Sequence, residues 1–186
     1  MLRRTFSGVL TGAALIVPMV VAAPSATAAV DAQAATTLTY DDSQAAEFKS
    51  AAAAAVRVWN ANVKKVRIVK AKPGQRVNIR VIADEGWPSA DLGPVRTTGT
   101  VKVWIGREAV ADGYDKVRIV AHEMGHSLGL DDAKPGPCSS LMSGSTGGVS
   151  CKNTRPNAAE RAEVERNYSG KASSASRSVV VVEAAY

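Results

Sequence analysis

The stretch His122-Glu123-Met124-Gly125-His126-Ser127-Leu128-Gly129-Leu130-Asp131-Asp132 narrows most sharply what this chain can become. On a helix, residues four apart differ by about 40° in azimuth and about 6 Å in rise. His122 and His126 then point the same way, at a separation that lets both imidazoles hold one Zn²⁺. Glu123 is next door and can reach a water beside that metal without being a ligand. Gly129 takes a positive φ at little cost, so it can end the helix and turn the chain back. An acid at Asp131 or Asp132 then comes round as a third ligand. The chain has 2 His in 186 residues, and both lie in this stretch. The register agrees. Counting about 100° per residue from Val117, the residues Val120, Ala121, Met124 and Leu128 share one stripe, and the two His fall on the opposite side. The plainer alternative is a pair of solvated His on an ordinary amphipathic helix.

The pattern His-Glu-x-x-His-x-x-Gly-x-x-Asp resembles the metzincin clan of zinc endopeptidases, in which the last ligand is usually His. Its Asp variant is similar to the snapalysin family, small neutral proteases secreted by streptomycetes. The resemblance covers about residues 37–168. It implies a mixed α/β (α+β) fold, with a mostly parallel twisted sheet, an N-terminal helix, an active-site helix and a C-terminal helix. It selects Asp132 over Asp131 as the partner of His122 and His126 around one Zn²⁺, with Glu123 as general base for peptide hydrolysis. The run Ser139-Ser140-Leu141-Met142-Ser143-Gly144 resembles the Met-turn beneath the zinc, with Met142 as its methionine. In that clan the strand before the active-site helix is the sheet edge that pairs with substrate, and about Thr98–Ile105 takes that place here.

The same resemblance implies protein or peptide substrates, an aromatic preference on the leaving-group side and a monomer, and it allows a structural Ca²⁺. One departure stands out. The family has a Tyr two residues after the Asp ligand, and this chain has Lys134. With no third His and no Tyr close after Met142, the Lys134 ammonium is the candidate oxyanion stabiliser. A solvated loop lysine is the alternative. A gluzincin-type peptidase would instead draw its third ligand from Glu160 or Glu163, against which Gly129 followed by Asp132 argues.

The N-terminus reads as an export signal over residues 1–28. Arg3 and Arg4 form a positive start, Val9 to Ala23 an apolar stretch interrupted by Pro18, and Ala26-Thr27-Ala28 a small-residue cleavage site. No second apolar span follows, so no membrane anchor is expected. Arg3-Arg4-Thr5-Phe6 also faintly resembles a twin-arginine signal, but the rest of that pattern is missing and general secretion fits better. Residues 29–36 read as a short pro-segment or a disordered N-terminus, 37–168 as the domain, and 169–186 as a Ser/Ala-rich, low-complexity tail. In an exported chain, 2 Cys suggest one disulfide, Cys138–Cys151. Closing that loop stabilises by roughly 3 kcal/mol in the chain-entropy model.

Apolar residues make up 46% of the chain but aromatics 5%, so the core must be aliphatic and Ala-rich. The net charge of +6 is ordinary for a secreted domain. Arg57, Lys64, Lys65, Arg67, Lys70, Lys72, Arg76 and Arg80 form a basic run without an intervening acid. A non-catalytic basic binding protein could use it on polyanions. Export and the scarcity of aromatics make nucleic acid an unsuitable partner, and a solvated face of helix and strand explains the run.

Local patterns fill in the rest. Thr37 to Tyr40 suggests a first strand, and Asp41-Asp42-Ser43 a helix start capped by Ser43. Phe48, Ala52, Val56, Trp59 and Val63 give an amphipathic helix. Val66 to Lys70 is a strand, Pro73-Gly74 a turn, and Val77 to Val81 a strand with alternate residues wet. Glu85 to Pro94 reads as a loop. Asp112 or Asp115 begins the motif helix, Ala133 to Pro137 is a stiff turn, and Pro156 to Asn167 a last helix. Val179 to Val182 is an apolar run that either adds an edge strand or is trimmed off.

Overall fold

The computed structural model describes residues 34–170 and 180–182. The leader, with its export and cleavage readings, and most of the tail lie outside the described residues. Six strands form one sheet in the order β2-β1-β3-β5-β4-β6. They are β1 (Thr36–Gln44), β2 (Val66–Lys70), β3 (Ile79–Asp84), β4 (Ser89–Asp91), β5 (Val101–Gly106) and β6 (Val180–Val182). β2, β1, β3 and β5 run parallel, and β4 is antiparallel to both β5 and β6. The helices are α1 (Lys49–Asn62), α2 (Arg107–Ala111), α3 (Lys116–Ser127) and α4 (Ala158–Asn167). The fold is therefore mixed α/β with a mostly parallel sheet, as expected. α1 packs on α3, α1 touches β1 and β2, and α3 touches β5 and β4.

The core follows the composition. Leu38, Ile68, Ile79, Val81, Val103 and Ile105 point inward from the strands, and Ala51, Ala52, Ala55, Val56 and Trp59 from α1. Small Ala side chains let α1 lie close to its neighbours, and Trp59 spends its polar atom well: Nε1 donates to the Ala121 carbonyl at 2.9 Å. That bond ties α1 to α3 one residue before His122. All eight residues of the basic run are exposed, on helix, strand and turn.

Four expectations need correction. Asp41-Asp42-Ser43 does not start a helix but completes β1. Asp42 is buried and pairs with Lys70 of the neighbouring strand at 2.7 Å, while the Asp41 carboxylate accepts from the Ser43 amide and hydroxyl. These acids satisfy a strand end and its register shift, and α1 begins at Lys49 with no side-chain cap. Asn78 is not on a wet face but is 3% exposed. Its Oδ1 accepts from the Thr39 amide, and its Nδ2 donates to the carbonyls of Arg96, Thr97 and Gly99. Glu85 to Pro94 is not all loop, since it contains β4. And β5, which covers most of Thr98–Ile105, is not a sheet edge: it lies between β3 and β4. Three residues of β4 are too few for alternation to show, so the edge role that the resemblance implies fell to the longer strand.

Asn78→Ala leaves one buried amide and three carbonyls without their partner. We expect a loss of about 1–3 kcal/mol, read as a lowered midpoint of urea unfolding. An unchanged midpoint would remove Asn78 from the framework.

Candidate metal centre

Asp115 caps α3 by accepting from the amides of Val117 and Arg118, both at 3.0 Å. Of the two expected starts, Asp115 is therefore the one used. The other end is set by Gly129. Its φ of +94° lets the Gly129 amide bond the His126 carbonyl at 2.8 Å and the Leu130 amide bond the Gly125 carbonyl at 3.0 Å. This paired closure satisfies helix carbonyls and reverses the chain. The reversal brings Asp132 back over the helix.

The three side chains then meet. His122 Nε2 and His126 Nε2 are 3.1 Å apart, and Asp132 Oδ1 lies 3.3 Å from the first and 3.4 Å from the second. His122 is 2% exposed and His126 0%, whereas the Asp132 side chain keeps 27%. Among the described residues, His122, His126 and Asp132 form a group whose ligand atoms lie within 4.8 Å of one another. Asp131 is exposed and lies outside that group, and Glu160, which is buried, and Glu163, which is half-buried, lie outside it too.

The ring nitrogens are not equivalent. His122 Nδ1 lies 3.0 Å from the Leu141 carbonyl, and His126 Nδ1 lies 2.8 Å from the Leu130 carbonyl. A carbonyl can only accept, so each Nδ1 carries the donated proton. In the neutral rings both Nε2 atoms are then lone pairs facing a carboxylate. Three acceptors in mutual contact repel unless a cation or a proton sits among them. Ligands about 2.0–2.1 Å from a tetrahedral zinc stand about 3.3–3.4 Å apart, and these three atoms already have that spacing. Burial pushes the Asp132 carboxyl up, but when the rings are protonated instead, hydrogen bonds and charge from His122 and His126 outweigh it and hold the group far below the usual carboxylate range.

Glu123 is fully buried and lines, with His122, Trp87, Pro88, Tyr114 and Ile119, a small cavity of about 20 Å³. Trp87 and Tyr114 meet edge to face there at 5.8 Å. Lys134 Nζ lies 3.4 Å from Asp132 Oδ2, with its side chain 12% exposed. Lys134 is thus at the third candidate ligand and not free in solvent.

Met142 lies under α3, where a Cβ at Gly125 would stand 2.6 Å from its Sδ. It follows Leu141, whose carbonyl orients His122. Cys138 and Cys151 are bonded, with Cα atoms 5.5 Å apart, and close the loop that carries both residues.

This loop is held by Arg118, which the sequence did not single out, and by Glu160, weighed there only as a gluzincin ligand. Glu160 accepts from the Ser140 hydroxyl at 2.6 Å, from the amides of Met142 at 2.9 Å and Leu141 at 3.3 Å, and from its own N-cap amide, Asn157, at 2.6 Å. Arg118, on α3, donates to the Ser140 carbonyl and the Ser143 hydroxyl, both at 2.9 Å, and to the Asn153 carbonyl. Asn157-x-x-Glu160 is a legible capping box. Its signal was local, so the second task of Glu160 stayed hidden.

Glu160→Gln puts a donor where four hydrogen-bond donors converge. We expect a stability loss of about 1–3 kcal/mol and zinc held about 10–100-fold more weakly, measured by competition with a chromophoric chelator. Glu163→Gln serves as the control, and equal zinc affinity in the two variants would show that Glu160 does not position His122.

Comparison with known proteins follows the same residues. The profile of the Streptomyces extracellular neutral proteinase (M7) family matches residues 35–170. An extracellular small neutral protease of Streptomyces caespitosus is 39% identical over 129 residues, covering 69% of this chain and 93% of that protein. One from Streptomyces coelicolor is 36% identical over 132 residues, covering 71% of this chain. The matched region spans only 59% of that relative's length and 56% of another from Streptomyces sp. strain C5. A solved structure, the hatching-enzyme zinc-protease high choriolytic enzyme 1 from Oryzias latipes, is similar over 54% of this chain and 47% of its own, with 22% identity and a TM-score of 0.40. With a profile match over residues 35–170 that takes in the whole His-Glu-x-x-His-x-x-Gly-x-x-Asp stretch, the chain belongs to the Streptomyces extracellular neutral proteinase (M7) family.

Proposed function

We propose that this chain is an exported, zinc-dependent endopeptidase that hydrolyses peptide bonds of extracellular proteins. The observation that carries this reading is the convergence of two oriented imidazoles and one carboxylate, at tetrahedral spacing, beside a buried acid and an apolar cavity. His122, His126 and Asp132 would hold one Zn²⁺. The metal, when bound, supplies Lewis acidity that activates a water and polarises the scissile carbonyl. Glu123 takes the proton of that water on its carboxylate and passes it to the leaving amine. Its complete burial removes competing solvent and keeps the proton on that path. Asp132 contributes a negative charge to the ligand set, which makes the ion slightly less electrophilic than three His would. Lys134, anchored near Asp132 Oδ2, places a cation beside the centre and takes part of the oxyanion role.

Trp87, Pro88, Tyr114 and Ile119 give the cavity walls that favour a flat apolar side chain, which supports an aromatic preference on the leaving-group side. The leader-like residues 1–28, and the word extracellular in the relatives' names, support export. Residues 37–168 then form the working domain, as a monomer. No described helix is long and apolar enough to cross a membrane. Zinc is the metal proposed for His122, His126 and Asp132, and a structural Ca²⁺ rests on the family resemblance alone.

Purified chain should digest casein, stop with a chelator and recover with zinc. Glu123→Gln should keep one zinc per chain while kcat falls about 10²–10⁴-fold, and Asp132→Ala should lose the metal. A fully active Glu123→Gln enzyme would overturn the reading. Lys134→Ala should retain zinc and lose kcat by about 10²-fold, the size of one oxyanion donor. An unchanged kcat would remove Lys134 from the chemistry.

A further inference from the structure

The strand at one edge of the sheet comes from beyond the family match, which ends at residue 170. β6 pairs with β4 in antiparallel register, Val182 opposite Ser89, Val181 opposite Ala90 and Val180 opposite Asp91. Without it, β4 would be the exposed edge. β4 also packs against α3, which carries the candidate centre. Trp87 and Pro88, which wall the cavity beside His122 and Glu123, precede it directly. Gly93, two residues beyond it, donates its amide to the His126 carbonyl at 2.8 Å.

A free sheet edge takes up an extended peptide by adding it as a strand, with backbone bonds for affinity and side-chain pockets for specificity. A peptide that fills the cavity at Trp87 and Pro88 and continues as a strand has Ser89–Asp91 to pair with. β6 already makes that pairing, and its register directs its C-terminal end towards Pro88. The composition suits an occupant and not a brace. Val179 to Val182 are β-branched, and residues 171–178 are Ser/Ala-rich with Lys171 and Arg177. Three paired residues bind weakly by themselves. A short tether raises the local concentration to the order of mM, enough to hold the edge and low enough for substrate to displace it.

We propose that the C-terminal strand is a self-supplied competitor that occupies the peptide-binding edge β4 and restrains the proteolysis proposed above. This rests on the endopeptidase reading, and the test separates the two. In the full chain, Val180→Pro combined with Val181→Pro removes whichever of the two adjacent amides faces β4. A fluorescein-labelled peptide of residues 178–186, Ser-Val-Val-Val-Val-Glu-Ala-Ala-Tyr, should bind the variant at least about tenfold more tightly than the unaltered chain, the vacated edge being open to it. Amide hydrogen exchange at Ser89–Asp91 should quicken in the variant and slow again with the peptide. KM for an extended, internally quenched peptide should fall several-fold with kcat unchanged. Equal binding and equal exchange in the two chains would overturn the inference, as would a variant that loses kcat and zinc together, the mark of a structural brace. Tighter peptide binding to the variant without hydrolysis by either chain would instead sink the endopeptidase reading and leave edge occupancy standing.

Discussion

Two hydrogen bonds orient the imidazoles of the candidate metal site: His122 Nδ1 to the Leu141 carbonyl, and His126 Nδ1 to the Leu130 carbonyl. Each fixes a tautomer, and each turns the remaining lone pair towards Asp132. Spacing along α3 brings the rings near one another, but the carbonyls set which nitrogen faces Asp132. The two acceptors come from separate parts of the chain. Leu130 sits in the reversal after α3, whose geometry depends on the positive φ of Gly129. Leu141 sits in the disulfide-closed loop, held by Glu160 from α4 and Arg118 from α3.

Charge placement follows the same logic. Glu160 and Arg118 are 7% and 4% exposed, positions at which an ion costs several kcal/mol unless hydrogen bonds replace its hydration. Both spend their bonds on the backbone and hydroxyls of residues 140–143. The loop is therefore held by buried charge at both ends of its hydrogen-bond network. Carbonyls are taken up by a guanidinium, and amides by a carboxylate. Neutral replacements of the same shape would leave donors or acceptors unsatisfied, and the Leu141 carbonyl that orients His122 would lose its support.

Much of this could be read from residue order, for reasons that can be named. The motif on α3, the amphipathic face of α1 and the strand at Val66–Lys70 rest on short-range periodicity, and periodicity is local. The disulfide needed only two Cys and a compartment. What escaped was every feature decided by a distant partner. Asn78 alternates like a wet residue, and only the arrival of Arg96 to Gly99 buries it. Asp41 to Ser43 carries a helix-start signal that strand pairing to Lys70 overrode. β4 is too short to announce itself, and its neighbour β6 lies about ninety residues further along the sequence. Met142 had a motif to point to it, whereas Glu160 beneath the same loop had only a helix cap.

The segment Trp87 to Val95 shows why the two histidines answer to different parts of the molecule. It walls the cavity at Trp87 and Pro88, pairs as β4, and then bonds the end of α3 through Gly93 to His126 and Val95 to Ser127. Tyr168 donates to the Val95 carbonyl at 2.9 Å, and Asn167 to that of Leu128 at 3.1 Å, so α4 closes the same corner. The backbone carbonyl that accepts from Gly93 belongs to His126, whose ring is one of the candidate ligands. His126 is thus tied to the segment that carries β4, while His122 is tied to the loop under Glu160. The two candidate imidazole ligands are therefore held by separate segments, His126 by the chain that closes the end of α3 and His122 by the loop that Glu160 and Arg118 anchor.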